Sequence, residues 1–269
     1  MSSTKFGFIG AGNMGGALAQ AVSKTVKGEQ VIIADQSYEK AAKLAEKLGC
    51  KSADNIEVVK TAKYIFLGVK PQVMEDLLNS ISSILAHRDD RFILVTMAAG
   101  LKISYFNEIL GGEYPIIRIM PNTPVSVGEG MILYSASNSA TEDEINEFCN
   151  ALKMAGRLDK IPEELIDAGS VVSGCGPAFV YLFANALAQA GENCGLSKDK
   201  ALDYAAQTLI GAGKMLQNSN TSPEQLIKNV CSPGGTTIEG VNYFNNSDFN
   251  KIVNEALGAS NKRTKELAK

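Results

Sequence analysis

Phe6-Gly7-Phe8-Ile9-Gly10-Ala11-Gly12-Asn13-Met14-Gly15-Gly16, with the helical stretch Ala17–Val26 behind it, is the segment that decides the fold. A short apolar strand runs into a glycine-rich bend and then into a helix. In such a bend Gly10 makes the tight turn, Gly12 lets a pyrophosphate approach the backbone, and Gly15 lets helix and strand pack closely. The anion then sits at the positive end of the helix. Glycines at this spacing are weak evidence alone, but the strand before them and the helix after them point to a dinucleotide-binding unit. Twenty residues beyond Gly15, Asp35 closes the next strand, where a carboxylate takes the ribose hydroxyls and repels a 2′-phosphate, which favours NADH. NADPH stays open, because Ser37 can accept a phosphate, Lys40 is near, and Asp35 can equally be a turn or cap residue before the helix at Tyr38.

Outward from this loop, β-rich runs at Phe6–Ile9, Gln30–Ala34, Lys63–Val69, Phe92–Met97, Pro115–Met120 and Met131–Tyr134 alternate with helical stretches as far as Ile161. Strand and helix in alternation imply parallel pairing and a doubly wound sheet. A helix is expected from Pro71, with Val73, Leu77, Leu78, Ile81 and Ile84 on its apolar face. After Pro162 the strand signal fades into helices at Pro177–Ala190, Lys198–Leu216, Ser222–Val230, Thr236–Phe244 and Phe249–Leu267. The expected class is therefore α/β, with a Rossmann-like sheet over residues 1–161 and an all-helical unit over 162–269. Ser222-Pro223-Glu224-Gln225 combines a cap, a first-turn proline and a side-chain acceptor three residues after the cap. The Ala- and Leu-rich helices of the second half suggest a subunit interface, so a homodimer is expected.

A chain of 269 residues that is 45% apolar can bury a large core. Lys and Arg number 26 against 29 for Asp and Glu, a net charge of -3, which gives no reason to expect nucleic acid as a partner. Cys50, Cys149, Cys175, Cys194 and Cys231 are odd in number and include no C-x-x-C pair, so they read as reduced thiols of a cytoplasmic protein, not as a disulfide framework or a zinc site. The start of the chain, Met1 to Phe8, lacks signal-peptide features, and later apolar runs stop short of the ~20 residues that a membrane span needs.

His87 is the lone histidine and lies in the polar stretch Ala86-His87-Arg88-Asp89-Asp90-Arg91, which reads as a surface loop. A histidine proton relay and a histidine-ligated metal are therefore not expected. Reduction of a protonated imine needs little acid–base help, because the electrophile already carries positive charge. The candidate pocket is Cys231-Ser232-Pro233-Gly234-Gly235-Thr236-Thr237-Ile238-Glu239, a glycine loop opening a helix. Its free N–H groups form an anion site for a carboxylate, and the hydroxyls of Thr236 and Thr237 can reach a ring nitrogen. It can equally be a helix-to-helix turn with a threonine cap. Ser173-Gly174-Cys175-Gly176-Pro177 is a second loop of the same ambiguity. No basic partner is in view to activate Cys175 or Cys231, so both read as packing residues.

Together these segments resemble the pyrroline-5-carboxylate reductase family over nearly the whole chain. The matching residues are Phe8 to Met14, Gly68-Val69-Lys70-Pro71, Ala98-Ala99-Gly100, Met120-Pro121-Asn122-Thr123-Pro124, Ser173 to Ala178 and, most specifically, Val230 to Ile238. The resemblance implies hydride transfer from NADPH or NADH to the C=N bond of a cyclic imino acid, giving proline, the last step of its biosynthesis. It also implies an all-helical domain that dimerises, dimers that can assemble into decamers, and an active site where one subunit's cofactor domain meets the dimer's helices. By matched position, Ile9, Gly10, Ala11, Gly12, Asn13 and Met14 hold the pyrophosphate, and Asn55, Gly68, Val69, Lys70 and Pro71 line the adenosine side. Met97, Ala98 and Ala99 approach the nicotinamide, and Asn229 and Glu163 fall near cofactor and substrate. Gly235, Thr236 and Thr237 match the loop that takes the substrate carboxylate, and the Thr237 hydroxyl stands beside the imine nitrogen as proton donor or orienter.

The chain departs from the family in two places. Ile227-Lys228 stands where many members carry Lys-Asp, and Asp35 stands where many have a small hydroxyl residue suited to NADPH. Two other readings compete. A lysine-dependent hydroxyacid dehydrogenase would need Lys198, Lys200, Lys214 or Lys228 at the nicotinamide, and a redox-sensing dinucleotide binder would have no use for the Ser232–Thr237 loop.

Overall fold

The computed structural model describes residues 4–267 of the chain. The expectation drawn from the chain start rests partly on Met1–Ser3, which lie outside the described residues. The chain forms two compact units, one comprising residues up to Cys175 and from Asn261 on, the other Gly176–Ser260. The first holds, in order, β1 (Phe6–Ile9), α1 (Asn13–Ser23), β2 (Val31–Ala34), α2 (Tyr38–Leu48), β3 (Lys51–Ser52), α3 (Asn55–Thr61), β4 (Tyr64–Leu67) and α4 (Met74–Ala86). It continues through β5 (Ile93–Thr96), α5 (Ile103–Leu110), β6 (Ile116–Pro121), β7 (Gly130–Ala136), α6 (Glu142–Leu152), β8 (Gly156–Lys160) and α7 (Ile166–Ser173).

The strands form one sheet in the order β3-β2-β1-β4-β5-β6-β7-β8. Both faces are apolar, because successive side chains point to opposite sides. Phe6 and Phe8 of β1 face α1 and α6 with Tyr64, Phe66 and Phe148, while Ile9, Ile65 and Leu67 face α3 and α4. Ring stacking reinforces the first face, with Phe8 and Phe66 centroids 4.4 Å apart.

Several expectations are corrected by the packing. β7 runs antiparallel to β6, because the connection Asn122–Glu129 contains only a 3-10 turn and is too short for the crossover that parallel strands require. β3 and β8 were not expected. β3 has two residues and carries no period, and β8 is Gly-Arg-Leu-Asp-Lys, a polar edge strand. Pro71–Val73 is a 3-10 turn and α4 begins at Met74, so the buried face is Met74, Leu77, Leu78, Ile81 and Leu85, with Val73 exposed. The compact units divide after Cys175, because helix α7, which the sequence did not announce, packs on β6 and β7.

A buried carboxylate ties α6 to the sheet and gives the fold an acid-sensitive joint. Thr141 and Glu144 form a reciprocal capping box at the start of α6, and Arg91 grips both Glu144 oxygens, at 2.7 and 2.9 Å. The Arg91 guanidinium and the Thr141 N–H hold the Glu144 pKa down from 4.5 to about 2. The folded-state pKa is depressed, so this stabilisation is complete above pH 4.5 and is lost as pH falls towards 2. Discounted for the half-exposed Arg91, it amounts to on the order of 2 kcal/mol. Urea titrations should therefore show parent stability dropping between pH 5 and 3 more steeply than that of Glu144→Gln; equal slopes would refute the assignment.

The second unit contains α8 (Gly176–Asn193), α9 (Lys198–Asn218), α10 (Pro223–Val230), α11 (Thr236–Asn246) and the first part of α12 (Phe249–Leu267). α8 and α9 approach closely through Ala188, Ala201 and Ala205. Ser222 caps α10 by accepting the Gln225 N–H at 3.3 Å, while the Gln225 side chain reaches forward to Asn229 instead of closing a capping box. Within one chain these helices leave much apolar surface uncovered, including Tyr181, Leu182, Ile210, Met215, Tyr243 and Ile252. The apolar stretch Glu163–Asn193 meets the length and composition of a membrane span, contrary to the expectation that no run would; core helices of soluble proteins pass the same test.

Candidate active site

The strand order reverses between β1 and β4, and in doubly wound sheets ligands bind outside the carboxyl ends of the strands at that point. Here the Gly68 N–H donates to the Ile9 carbonyl at 2.7 Å, drawing the end of β4 against the end of β1. Gly10 follows with φ +110, a conformation L side chains rarely adopt, and a Cβ there would lie 2.5 Å from the Gly68 oxygen. A Cβ on Gly15 would come within 2.1 Å of the Gly10 carbonyl, so the first turn of α1 rests directly on the bend. A Cβ on Gly12 would meet nothing within 4 Å. The loop is thus closed at Gly10 and Gly15 and open at Gly12, where α1 begins without a side-chain cap. Free N–H groups beside open space suit a pyrophosphate.

Asp35, just past β2, is built into this loop. Its Oδ2 accepts the Ala11 N–H at 2.7 Å, its Oδ1 accepts the Ser37 N–H at 3.0 Å, and Lys40 Nζ lies 3.9 Å away. The turn role and the loop contact therefore coexist in one carboxylate. Asn13 and Met14 open α1. Gly68, Val69, Lys70 and Pro71 leave the end of β4, and Met97, Ala98 and Ala99 leave the end of β5. The Thr96 hydroxyl accepts the Ala98 N–H at 3.3 Å. Asn55 is the first residue of α3, after Asp54, which caps that helix. All of these belong to the carboxyl edge of the parallel strands.

Glu163 also lies in the first unit, in a 3-10 turn after β8. Its Oε1 accepts the Ile103 N–H at 2.8 Å and faces Arg118 Nη1 at 3.4 Å. Arg118 and its second partner Asp167 were not singled out from sequence, although one charge inside Ile116-Ile117-Arg118-Ile119 is the signal that could have found them. Asn122 likewise has a structural task, accepting the Met131 N–H at 2.8 Å and donating to the Ser173 carbonyl at 2.9 Å. That pair of bonds links two of the motifs noted above, Asn122-Thr123-Pro124 and the loop from Ser173. His87 is exposed at the end of α4, its Nδ1 2.7 Å from the Ser83 carbonyl oxygen. Among the described residues no group of three or more His, Cys, Asp or Glu could hold a metal ion.

In the second unit Asn229 lies on α10, its Oδ1 accepting from Gln225 Nε2 at 2.9 Å. Gly235, Thr236 and Thr237 open α11, with Gly235 as the uncapped N-terminal residue. The Gly235 N–H donates to the Ser232 carbonyl at 3.0 Å, and a Cβ on Gly235 would lie 2.3 Å from Ser232 Oγ, so the turn is closed on itself. The N–H groups of the first turn and the exposed Thr236 and Thr237 hydroxyls are left to bind something else.

Residues 163–267 match the family profile described as pyrroline-5-carboxylate reductase dimerisation, and residues 5–100 match one described as NADP oxidoreductase, coenzyme F420-dependent. Pyrroline-5-carboxylate reductase 3 of Danio rerio is 38% identical over 98% of this chain and 91% of its own, and the Aquifex aeolicus pyrroline-5-carboxylate reductase is 34% identical over 98% and 97%. The crystal structure of the Plasmodium falciparum pyrroline carboxylate reductase with NADP bound superposes with a TM-score of 0.87, at 30% identity and 100% coverage of both chains. With an α/β unit carrying a dinucleotide loop, a helical unit carrying the signature turn, and relatives alike from end to end, the chain belongs to the pyrroline-5-carboxylate reductase family.

Proposed function

We propose that this chain reduces the C=N bond of 1-pyrroline-5-carboxylate to give L-proline. The observation that carries the reading is the uncapped start of α11, where N–H groups and two exposed hydroxyls stand together behind a turn closed by Gly235 and Ser232. These N–H groups take the substrate carboxylate, and the Thr237 hydroxyl orients the ring nitrogen. A nicotinamide coenzyme, when bound, supplies the hydride. The open space at Gly12 and the free N–H groups of α1 hold its pyrophosphate, and Met97, Ala98 and Ala99 border its reactive ring. The substrate reacts as its protonated imine: as the ring carbon gains hydride, the C=N π pair becomes the lone pair on nitrogen, which already carries its proton, and the secondary amine results. The exposed apolar surface of the second unit supports self-association into a dimer, and the assembly of dimers into decamers follows from the family resemblance alone. Five unpaired cysteines support a cytoplasmic location.

We infer a tilt towards NADH from Asp35, whose carboxylate stays beside the phosphate loop with Lys40 Nζ no nearer than 3.9 Å. Asp35→Asn keeps an acceptor for the Ala11 N–H but removes the charge. The purified chain is mixed with pyrroline-5-carboxylate and the loss of reduced-coenzyme absorbance is followed with NADH and NADPH in turn. Imine-dependent oxidation is expected, and no oxidation with either coenzyme would overturn the assignment. In Asp35→Asn the NADPH/NADH ratio of kcat/KM should rise about tenfold, the effect of removing one like charge near the 2′-phosphate. An unchanged ratio would leave Asp35 as a loop tether only.

A further inference from the structure

Arg118 is fully buried, and its Nε is, among the described residues, the one buried side-chain polar atom without a hydrogen-bond partner. Its register explains the neighbourhood. Thr96, Arg118 and Ser135 stand abreast on β5, β6 and β7, on the face covered by α5 and α7. Arg118 Nη2 donates to Asp167 Oδ1 of α7 at 2.7 Å, and Nη1 faces Glu163 Oε1 at 3.4 Å. That same oxygen accepts the Ile103 N–H at the start of α5, a helix whose N-terminal residue Lys102 provides no side-chain cap. A remote carboxylate therefore does the capping, and Arg118 holds the carboxylate.

The segment from Met97 to Ile103 is thereby tied at both ends to one polar cluster. Thr96 holds the Ala98 N–H at one end, and Glu163 holds the Ile103 N–H at the other. A buried ion cluster is a poor source of stability, since apolar side chains of equal volume often serve as well. What it does supply is direction, because a guanidinium held by two carboxylates has few alternative placements.

We propose that Glu163 and Arg118 are positioning residues for hydride transfer, acting through the Met97–Ile103 segment. The inference rests on the reading that Met97, Ala98 and Ala99 border the nicotinamide. Misplacing a reacting group by about 1 Å can cost up to about a hundredfold in rate, so a loosened segment lowers kcat more than it lowers coenzyme binding, most of which lies at the phosphate and adenosine end.

The experiment compares the full chain with Glu163→Gln and Glu163→Ala. Amide hydrogen exchange across residues 97–105 is read without ligand, and kcat and both KM values are read with pyrroline-5-carboxylate and the preferred coenzyme. In Glu163→Ala the segment should exchange about tenfold faster, and kcat should fall about tenfold or more with coenzyme KM within about threefold of the parent. Glu163→Gln, whose carbonyl still accepts the Ile103 N–H, should recover most of both losses. Equal loss of kcat in the two variants with unchanged exchange would overturn the proposal in favour of direct action by the Glu163 charge. Faster exchange with unchanged kcat would reduce the cluster to a structural tie and equally overturn it. Parent turnover decides the activity reading separately: a parent that reduces no imine fails that reading, whereas the variants test only the positioning role.

Discussion

Gly12→Ala is expected to fold as stably as the parent while losing coenzyme affinity by about 10- to 100-fold, the equivalent of about 1–3 kcal/mol of overpacking against the ligand. Gly12 has φ -69 and ψ -175, a conformation open to any residue, and its added Cβ meets no atom of the protein within 4 Å. Replacing glycine by alanine at a helix N-terminal position therefore changes stability by only about 0.5 kcal/mol. The cost appears only when a pyrophosphate has to occupy the same space. Gly15→Ala is the counterpart. Its Cβ would press on the Gly10 carbonyl at 2.1 Å, so α1 must lift from the bend, and stability falls by about 1–3 kcal/mol along with binding. Urea unfolding and calorimetric titration with NADH and NADPH separate the two variants. Parent-like coenzyme affinity in Gly12→Ala would sink the pyrophosphate reading.

Thr237→Ala should lower kcat by about a hundredfold, the typical loss on removing one preorganised donor at a reacting centre. Coenzyme affinity and urea stability should stay near the parent values. Thr237 is exposed on the first turn of α11, where the turn is closed by Gly235 and Ser232 without help from its hydroxyl. The missing hydroxyl costs the fold little and the reaction much. Thr237→Ser, which retains the donor, should recover most of the rate. Steady-state kinetics with pyrroline-5-carboxylate decides the matter, and a Thr237→Ala enzyme within twofold of parent kcat would remove Thr237 from the chemistry. A large rise in imine KM with kcat preserved would instead assign the hydroxyl to uniform substrate binding.

What could be read from the sequence was local. Phe6 to Gly16 carries strand, bend and helix within one short run, so its conformation follows from neighbouring residues, and Gly10 and Gly15 stand where a side chain would collide. Period also sufficed for α9 and α10, and Ser222 marked a helix start through its own hydroxyl. The turn at Gly235 could be located but not given a purpose from its residues alone, because a threonine cap and an anion site share one pattern; the family resemblance is what favours the anion site proposed above.

Tertiary structure decided whatever depends on partners distant in the chain. β8 is polar because it lies at the sheet edge, and nothing in Gly156–Lys160 announces the neighbour it pairs with. β7 reverses because a short link leaves no room for a crossover, a constraint that apolar patterning does not encode. Asp35 could be placed at the end of β2 from spacing, but its bond to the Ala11 N–H, across 24 residues, needed the sheet to bring β1 and β2 together. Arg118 could be recognised as a charge in an apolar strand, yet Glu163 and Asp167 reach it from 45 and 49 residues away. Hydrophobic period and backbone sterics act over a few residues and are written into the local sequence. Hydrogen-bond partners across the sheet are selected only after the chain has packed, and they decide which charges can be buried and which loops are held still.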